Sequence, residues 1–103
     1  MAEDPSLQLQ VDSNGRVRVE GALTRHTAMD ALRRFDRLAR DLPRWVIDCS
    51  GCEPVDSAAV AWLIELRKRA RKLGRPLRFE ALPPAVHSIA RMSQVEDLLA
   101  PAD

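Results

Sequence analysis

The sequence has few of the residues on which enzyme active sites are usually built. Its 103 residues include only two cysteines and two histidines. No glycine-rich phosphate loop follows a predicted strand, no Ser, His and Asp form a catalytic set with local support, and the carboxylates are not clustered. We therefore expect a protein that is not an enzyme and that uses no cofactor.

Long apolar runs and a strong charge of one sign are also missing. No run approaches the length of about 20 residues needed to span a bilayer, and the acidic start MAEDPSLQLQ has no apolar core of a signal peptide. The formal net charge of +1 favours no nucleic-acid partner. A chain of this length supports one hydrophobic core, so we expect a single cytoplasmic domain over residues 1–103, with its core at about 7–99.

The two cysteines, Cys49 and Cys52, form the motif CSGC, which is compatible with a small redox protein or a metal site. A redox pair should open a helix, however, and this pair follows an apolar run and precedes a Glu-Pro dipeptide. A structural zinc needs four ligands, and His26 and His87 lie far away in the sequence. We interpret the pair as small buried side chains and expect no metal.

Hydrophobic periodicity predicts four strands. Apolar and polar residues alternate in SLQLQVD, GRVRVEG and PLRFEAL, as in half-buried strands, and Ser13-Asn14-Gly15 predicts a hairpin turn. The continuous run RWVIDC predicts a strand that is covered on both faces and therefore central in the sheet.

Three helices are predicted between and after these strands. The first has Thr27 as a possible cap and Pro43 as its stop, the second runs from about Ser57 to Leu73 and ends at Gly74, and the third starts at Pro83-Pro84. The expected apolar positions are Ala28, Leu32, Phe35, Leu38 and Leu42 in the first helix, Val86, Ile89 and Ala90 in the third, and Val95, Leu98 and Leu99 in a terminal turn. The order β-β-α-β-α-β-α indicates an α/β fold with a largely parallel sheet of about four strands.

The second helix has two distinct faces at its start. A helical wheel places Ser57, Ala58 and Ala61 opposite the apolar arc, with Trp62 at the border, so the exposed first turns form a flat surface of small residues. The predicted core arc is Ala59, Val60, Leu63, Leu66, Ala70 and Leu73. Ser57 or Asp56 could simply cap the helix, and a regulatory or contact role for Ser57 is the alternative.

The end of the same helix is basic, with six cationic side chains between Arg67 and Arg75. Cations near a helix C-terminus are favoured by the helix dipole, so a solvated face is the simplest interpretation. Contact with lipid headgroups or with a permease, and contact with nucleic acid, stay open as alternatives, although no interleaved aromatic residues support base stacking.

Four segments together resemble a STAS domain, the fold of sulfate transporters and anti-sigma-factor antagonists. They are WVIDCSG, CEPVDSAAVAWLIEL, the return GRPL and the tail LPPAVHSIARMSQVEDLL, and the resemblance runs from roughly Leu7 to Leu99. In that family, the position of Asp56-Ser57 holds an Asp-Ser or Asp-Thr pair, whose hydroxyl residue is phosphorylated in the antagonists and lies at the partner interface. Ala58 after this pair and Ala22 after Gly21 depart from the antagonist pattern, and the segment from Val55 onward is more similar to the MlaB branch.

The resemblance implies an accessory subunit of a bacterial phospholipid ABC transporter that maintains outer-membrane lipid asymmetry. Such a subunit would be cytoplasmic, would bind the ATPase subunit in a complex that also holds the permease, and would meet the inner membrane only through that complex. The implied contact residues are Asp56, Ser57, Ala58, Ala61 and Trp62. The alternative is an anti-sigma-factor antagonist that is regulated by phosphorylation of Ser57.

Overall fold

Strands and helices follow one another in the predicted order. The computed structural model describes residues 4–100. Its elements are β1 (Leu7–Val11), β2 (Val17–Leu23), α1 (Ala28–Ala39), β3 (Trp45–Val55), α2 (Ser57–Leu73), β4 (Leu77–Glu80), α3 (Pro84–Met92) and a final 3-10 helix (Glu96–Leu99). The expected α/β class is confirmed.

The strands form one sheet in the order β1-β2-β3-β4. Strands β1 and β2 are the antiparallel arms of the predicted hairpin, and the other two neighbouring pairs are parallel. In the hairpin turn, the Asp12 carboxylate accepts hydrogen bonds from the N–H groups of Asn14 and Arg16, at 2.8 and 3.0 Å. The sheet is therefore largely parallel, and β3 lies between β2 and β4 as expected.

Only one face of the sheet carries the main core. The buried strand residues and the buried helix residues belong to one cluster, whereas the opposite face holds charged side chains. On that face, Arg18 forms ion pairs with Glu20 at 3.0 Å and with Asp48 at 3.8 Å. The expectation that β3 is covered on both faces is wrong. Trp45 and Ile47 are buried on the core face, and Val46 between them is half-buried on the other face. The run looks continuous in the sequence because Val46 is apolar too.

Strand β3 continues well beyond the predicted segment and contains an irregularity. Its register against β2 shifts between the pairs of Arg18 and Glu20, which is the signature of a bulge. Side chains three residues apart in a regular strand point to opposite faces. With the bulge between them, both Cys49 and Cys52 are buried, at 1% and 4% exposure.

Helix α1 is shorter than predicted, and its buried face agrees with the predicted apolar stripe only in part. We expected Pro43 as its stop and Leu38 in its stripe, but the helix ends at Ala39 and Leu38 is 40% exposed. Leu32 and Leu42 pack against the core as expected, although both are only half-buried. The buried residues are Ala31, Arg34, Phe35 and Ala39. Arg34 can occupy this face because its guanidinium donates to the carbonyl oxygens of Leu7 and Asp4, at 2.6 and 2.7 Å.

Helix α2 has the predicted bounds, and Gly74 ends it in the left-handed conformation, with φ of 68°. Two side chains differ from the predicted wheel. Trp62 is buried, because its ring packs edge-to-face on Phe35 of α1 with 6.0 Å between the ring centroids. Leu73, expected in the core, is 55% exposed in the last turn.

The last elements cover the outer side of α2. Helix α3 begins at Pro84 as expected and buries Val86 and Ala90, and Leu99 of the 3-10 helix is also buried. Strand β4 is shorter than predicted, because Ala81 lies beyond its end with φ of 55°. None of the helices in the described part of the chain is long and apolar enough to cross a membrane.

Candidate functional site: the N-terminal end of α2

Asp56 caps helix α2 and connects it to a distant loop. One carboxylate oxygen accepts from the N–H of Ala58 at 2.8 Å, which is the expected N-cap bond. The other oxygen accepts from the N–H of Arg25 at 3.1 Å. Of the two residues that the sequence offered as caps, Asp56 is the N-cap and Ser57 occupies the first helical position.

Ser57 lies on an exposed surface of small side chains. Ser57 and Ala61 are exposed and Ala58 is half-buried. Because these side chains are small, the start of α2 presents a nearly flat surface to a docking partner. Within residues 4–100, the Ser57 hydroxyl takes part in no hydrogen bond. A free hydroxyl at a helix N-terminus, where the dipole favours negative charge, can bond to a partner or accept a phosphate group.

The loop between β2 and α1 lies beside this surface, and sequence analysis did not place it there. The bond from Arg25 to Asp56 brings the exposed residues Arg25 and His26 to the start of α2, 31 positions away along the chain. Thr27 anchors the loop from within, since its hydroxyl donates to the carbonyl of Ala22 at 2.8 Å and accepts from the N–H of Thr24 at 3.0 Å. Thr27 occupies the N-cap position of α1 as predicted, but its side chain makes no capping hydrogen bond to the helix.

Trp62 does not lie on the exposed surface. We expected it at the border of that surface, but it is only 3% exposed and its indole N–H has no acceptor within residues 4–100. Trp62 lies five positions after Ser57, and its ring contacts Phe35 of α1. Trp62 therefore offers almost no accessible area, and Ser57 and Ala61 provide the exposed surface.

The cysteines lie within β3 and not at a helix start. The Cys52 thiol donates to the carbonyl of Val19 at 3.4 Å, and both thiols are free. The hydrogen bond with Cys52, together with burial, raises the pKa of the Cys49 thiol. The same hydrogen bond lowers the pKa of the Cys52 thiol. Both thiols lie within a strand and are buried, at 1% and 4% exposure, and this burial favours the interpretation of small buried side chains over a redox pair.

The fold and this helix terminus define a class of small mixed α/β domains that present a capped, accessible helix start. Residues 4–100 contain no group of three Cys, His, Asp or Glu side chains that could hold a metal ion. A family model described as "Mlab, STAS domain" matches residues 7–100. The chain therefore belongs to the MlaB-like STAS-domain family. No curated protein matches it.

Proposed function

We propose that this chain is a non-enzymatic accessory subunit that docks on the ATPase subunit of a bacterial phospholipid ABC transporter. Membership of the MlaB-like STAS family supports this role, since STAS domains are generally regulatory or accessory. In this proposal, the protein is cytoplasmic and is peripheral to the inner membrane through a complex that includes the permease. Assembly or activity of the transporter would depend on its docking.

The exposed surface of Ser57, Ala58 and Ala61 is the observation that carries the proposal. Small side chains allow close approach of a partner, and a hydroxyl among them supplies one oriented hydrogen bond. The bonds of Asp56 to Ala58 and Arg25 fix this surface before docking, so little conformational entropy is lost on binding.

The second candidate is an anti-sigma-factor antagonist regulated at Ser57. Its support is the exposed hydroxyl without a partner among the described residues, at a helix start that tolerates a phosphate group. The two candidates share a surface and differ in the partner that it recognises.

A charge at Ser57 tests the docking surface without disturbing the fold. Ser57→Asp adds an acid at a helix N-terminus, which the helix dipole favours, so we expect no loss of stability in thermal unfolding. In a tight interface the same charge must be desolvated at a cost of about 1–3 kcal/mol or more, which weakens docking roughly tenfold or beyond. Ser88→Asp, on the exposed side of α3, is the matched control.

The measurement is affinity purification of tagged wild-type, Ser57→Asp and Ser88→Asp protein from native cells, with partners identified by mass spectrometry. Recovery of an ABC ATPase with the wild type and with Ser88→Asp, and its loss with Ser57→Asp, would support the proposal. Equal recovery with all three proteins would contradict the proposed surface. Recovery of a serine kinase in place of the ATPase would favour the antagonist.

A further inference from the structure

The basic end of α2 divides into cations with a structural role and cations without one. Arg67 donates to the carbonyl of Ala100 at 3.0 Å, and Arg75 donates to the carbonyl of Leu42 at 2.6 Å. Lys68, Arg71 and Lys72 are exposed and form no ion pair within residues 4–100. The helix dipole explains why cations are favoured at this end of α2. It does not explain why Lys68 and Lys72 also line a groove.

Lys68 and Lys72 border a groove between the C-terminal halves of α1 and α2. The groove has a volume of about 760 Å³, and Arg40 at the end of α1 also lines it. Its apolar lining residues are Phe35, Ala39, Trp45 and Leu73. The groove thus combines an apolar floor with a cationic rim.

Two packed aromatic rings form the floor of the groove, and an exposed apolar side chain lies at its mouth. The rings of Phe35 and Trp45 meet edge-to-face with 4.9 Å between their centroids, and the Trp45 indole N–H donates to the carbonyl of Ala39 at 3.1 Å. Leu73 is 55% exposed at the mouth, whereas Phe35, Ala39 and Trp45 are buried beneath it, so Leu73 supplies most of the apolar surface that a ligand can reach. These features suit an apolar anchor from outside the chain.

An arginine of the groove forms ion pairs with two of the acidic side chains that line it. Arg69 forms ion pairs with Asp36 at 2.9 Å and with Glu65 at 2.6 Å, and the bond to Asp36 raises the pKa of Arg69. With Asp41, the lining holds three acids, and it holds five cations, because Arg40, Lys68, Lys72 and Arg75 add to Arg69. The charge that the groove presents to a ligand is therefore positive.

The shape and donors of the groove narrow the choice of ligand. The ends of α1 and α2 present carbonyl groups, and Arg75 already binds the carbonyls of Leu42 and Arg40, so no set of backbone N–H groups is available to hold a small phosphate. The groove is concave and narrow, so it fits a peptide segment better than the broad, flat surface of a bilayer. A peptide can place an apolar side chain in the groove and its carboxylates beside the lysines.

We propose that the groove between the C-terminal halves of α1 and α2 binds an acidic peptide segment that carries a large apolar anchor. Lys68 and Lys72 attract its carboxylates, and the exposed Leu73 contacts the anchor above the buried rings of Phe35 and Trp45. The site lies at the opposite end of α2 from Ser57, so it is separate from the docking surface of the proposed function.

The test uses the whole chain and fluorescence anisotropy with labelled acidic polymers. The probes are a random copolymer of glutamate and tyrosine, which offers anchors, and polyglutamate, which does not. We expect the copolymer to bind more tightly and its affinity to fall with added salt. The variant Lys68→Glu/Lys72→Glu should bind the copolymer about tenfold more weakly or worse, because attraction becomes repulsion at two positions.

Two further variants separate charge from anchoring. Arg78→Glu/Arg91→Glu makes the same change of charge at exposed positions outside the groove and should bind like the wild type. Leu73→Ser should weaken binding of the copolymer and leave binding of polyglutamate unchanged. Circular dichroism confirms that each variant is folded.

Three results would overturn the proposal. One is equal affinity of the copolymer for the wild type and for Lys68→Glu/Lys72→Glu. Another is equal affinity of the wild type for the copolymer and for polyglutamate, which would mean that no anchor is bound. The third is tighter binding to phosphatidylglycerol vesicles than to the copolymer, with loss of both in the lysine variant, which would identify a membrane-facing surface instead.

Discussion

At the scale of single residues, the buried Arg34 shows how this small domain accommodates a charge in its core. Its guanidinium donates to the carboxylate of Asp30 at 2.6 Å in addition to the carbonyls of Leu7 and Asp4. Asp30 in turn accepts from the N–H of Asp4 at 3.1 Å. A buried charge is tolerated when it is paired and hydrogen-bonded, and here the bonds also attach the beginning of β1 to α1.

Asp30 should make the stability of the domain depend on pH in the acid range. The hydrogen bond from the Asp4 N–H, followed by that from Arg34, holds the pKa of Asp30 below its ordinary value of 3.8. A folded-state pKa below the unfolded one gives stabilisation that is present above the unfolded pKa and is lost as pH falls through the folded pKa. Asp30→Asn should therefore be less stable than the wild type by roughly 1–3 kcal/mol at neutral pH.

Guanidinium unfolding of both proteins at several pH values is the measurement. The difference in unfolding free energy should be largest at neutral pH and should shrink below about pH 4, where Asp30 of the wild type begins to take up its proton. A difference that stays constant down to the most acidic condition at which both proteins fold would contradict this assignment.

At the scale of elements, the hairpin of β1 and β2 depends on a close backbone contact. Gly21 has φ of 94°, and a Cβ atom at that position would clash with the carbonyl oxygen of Ser6, which accepts from the N–H of Ala22 at 2.9 Å. Gly15, in the turn of the same hairpin, has φ of 79° but no atom within 4 Å of such a Cβ. A side chain at Gly15 would therefore meet backbone strain alone, whereas a side chain at Gly21 would meet both strain and a steric clash.

Gly21→Ala should destabilise the domain by about 3 kcal/mol or more, because it adds a clash with main-chain atoms to the cost of a left-handed conformation. Gly15→Ala should cost only about 1–2 kcal/mol, since it meets the conformational cost alone. Chemical denaturation of the two variants and the wild type measures both values. Similar losses in the two variants would show that the contact with Ser6 is easily relieved.

The elements also show where sequence reasoning succeeds and where it stops. Element order, the hairpin turn and the bounds of α2 follow from local signals: alternation, turn residues, Asp56 at the start and Gly74 at the end. The burial of Arg34 in place of Leu38 could not be predicted, because the carbonyl groups that accept its hydrogen bonds belong to Leu7 in β1 and to Asp4. The same holds for Trp62, whose burial depends on a ring in another helix.

The candidate site divides in the same way. Asp56 and Ser57 are recognisable from a dipeptide at a helix start, which is a local pattern. Arg25 joins them only through a bond that spans the chain, and the groove beside Lys68 exists only once α1 and α2 are packed together. A hydropathy pattern contains no information on such pairings, so the basic cluster looked like a solvated helix end.

At the scale of the whole molecule, α2 connects the two proposed surfaces. Its 17 residues make a helix about 25 Å long, with Ser57 at one end and Lys72 at the other. Because the surfaces share no residue and lie more than about 10 Å apart, their substitutions should be additive. We expect Ser57→Asp to bind the glutamate–tyrosine copolymer as the wild type does, and Lys68→Glu/Lys72→Glu to retain the transporter ATPase.

A complex of the domain with its proposed partner, the ATPase subunit, tests this independence directly. The copolymer should bind that complex with the affinity that it has for the free domain, and a ternary complex should be recovered by size-exclusion chromatography. Competition between the copolymer and the ATPase would mean that the partner extends along α2 and covers both ends. In that event the lysines would belong to the docking interface, and Lys68→Glu/Lys72→Glu should release the ATPase as Ser57→Asp does.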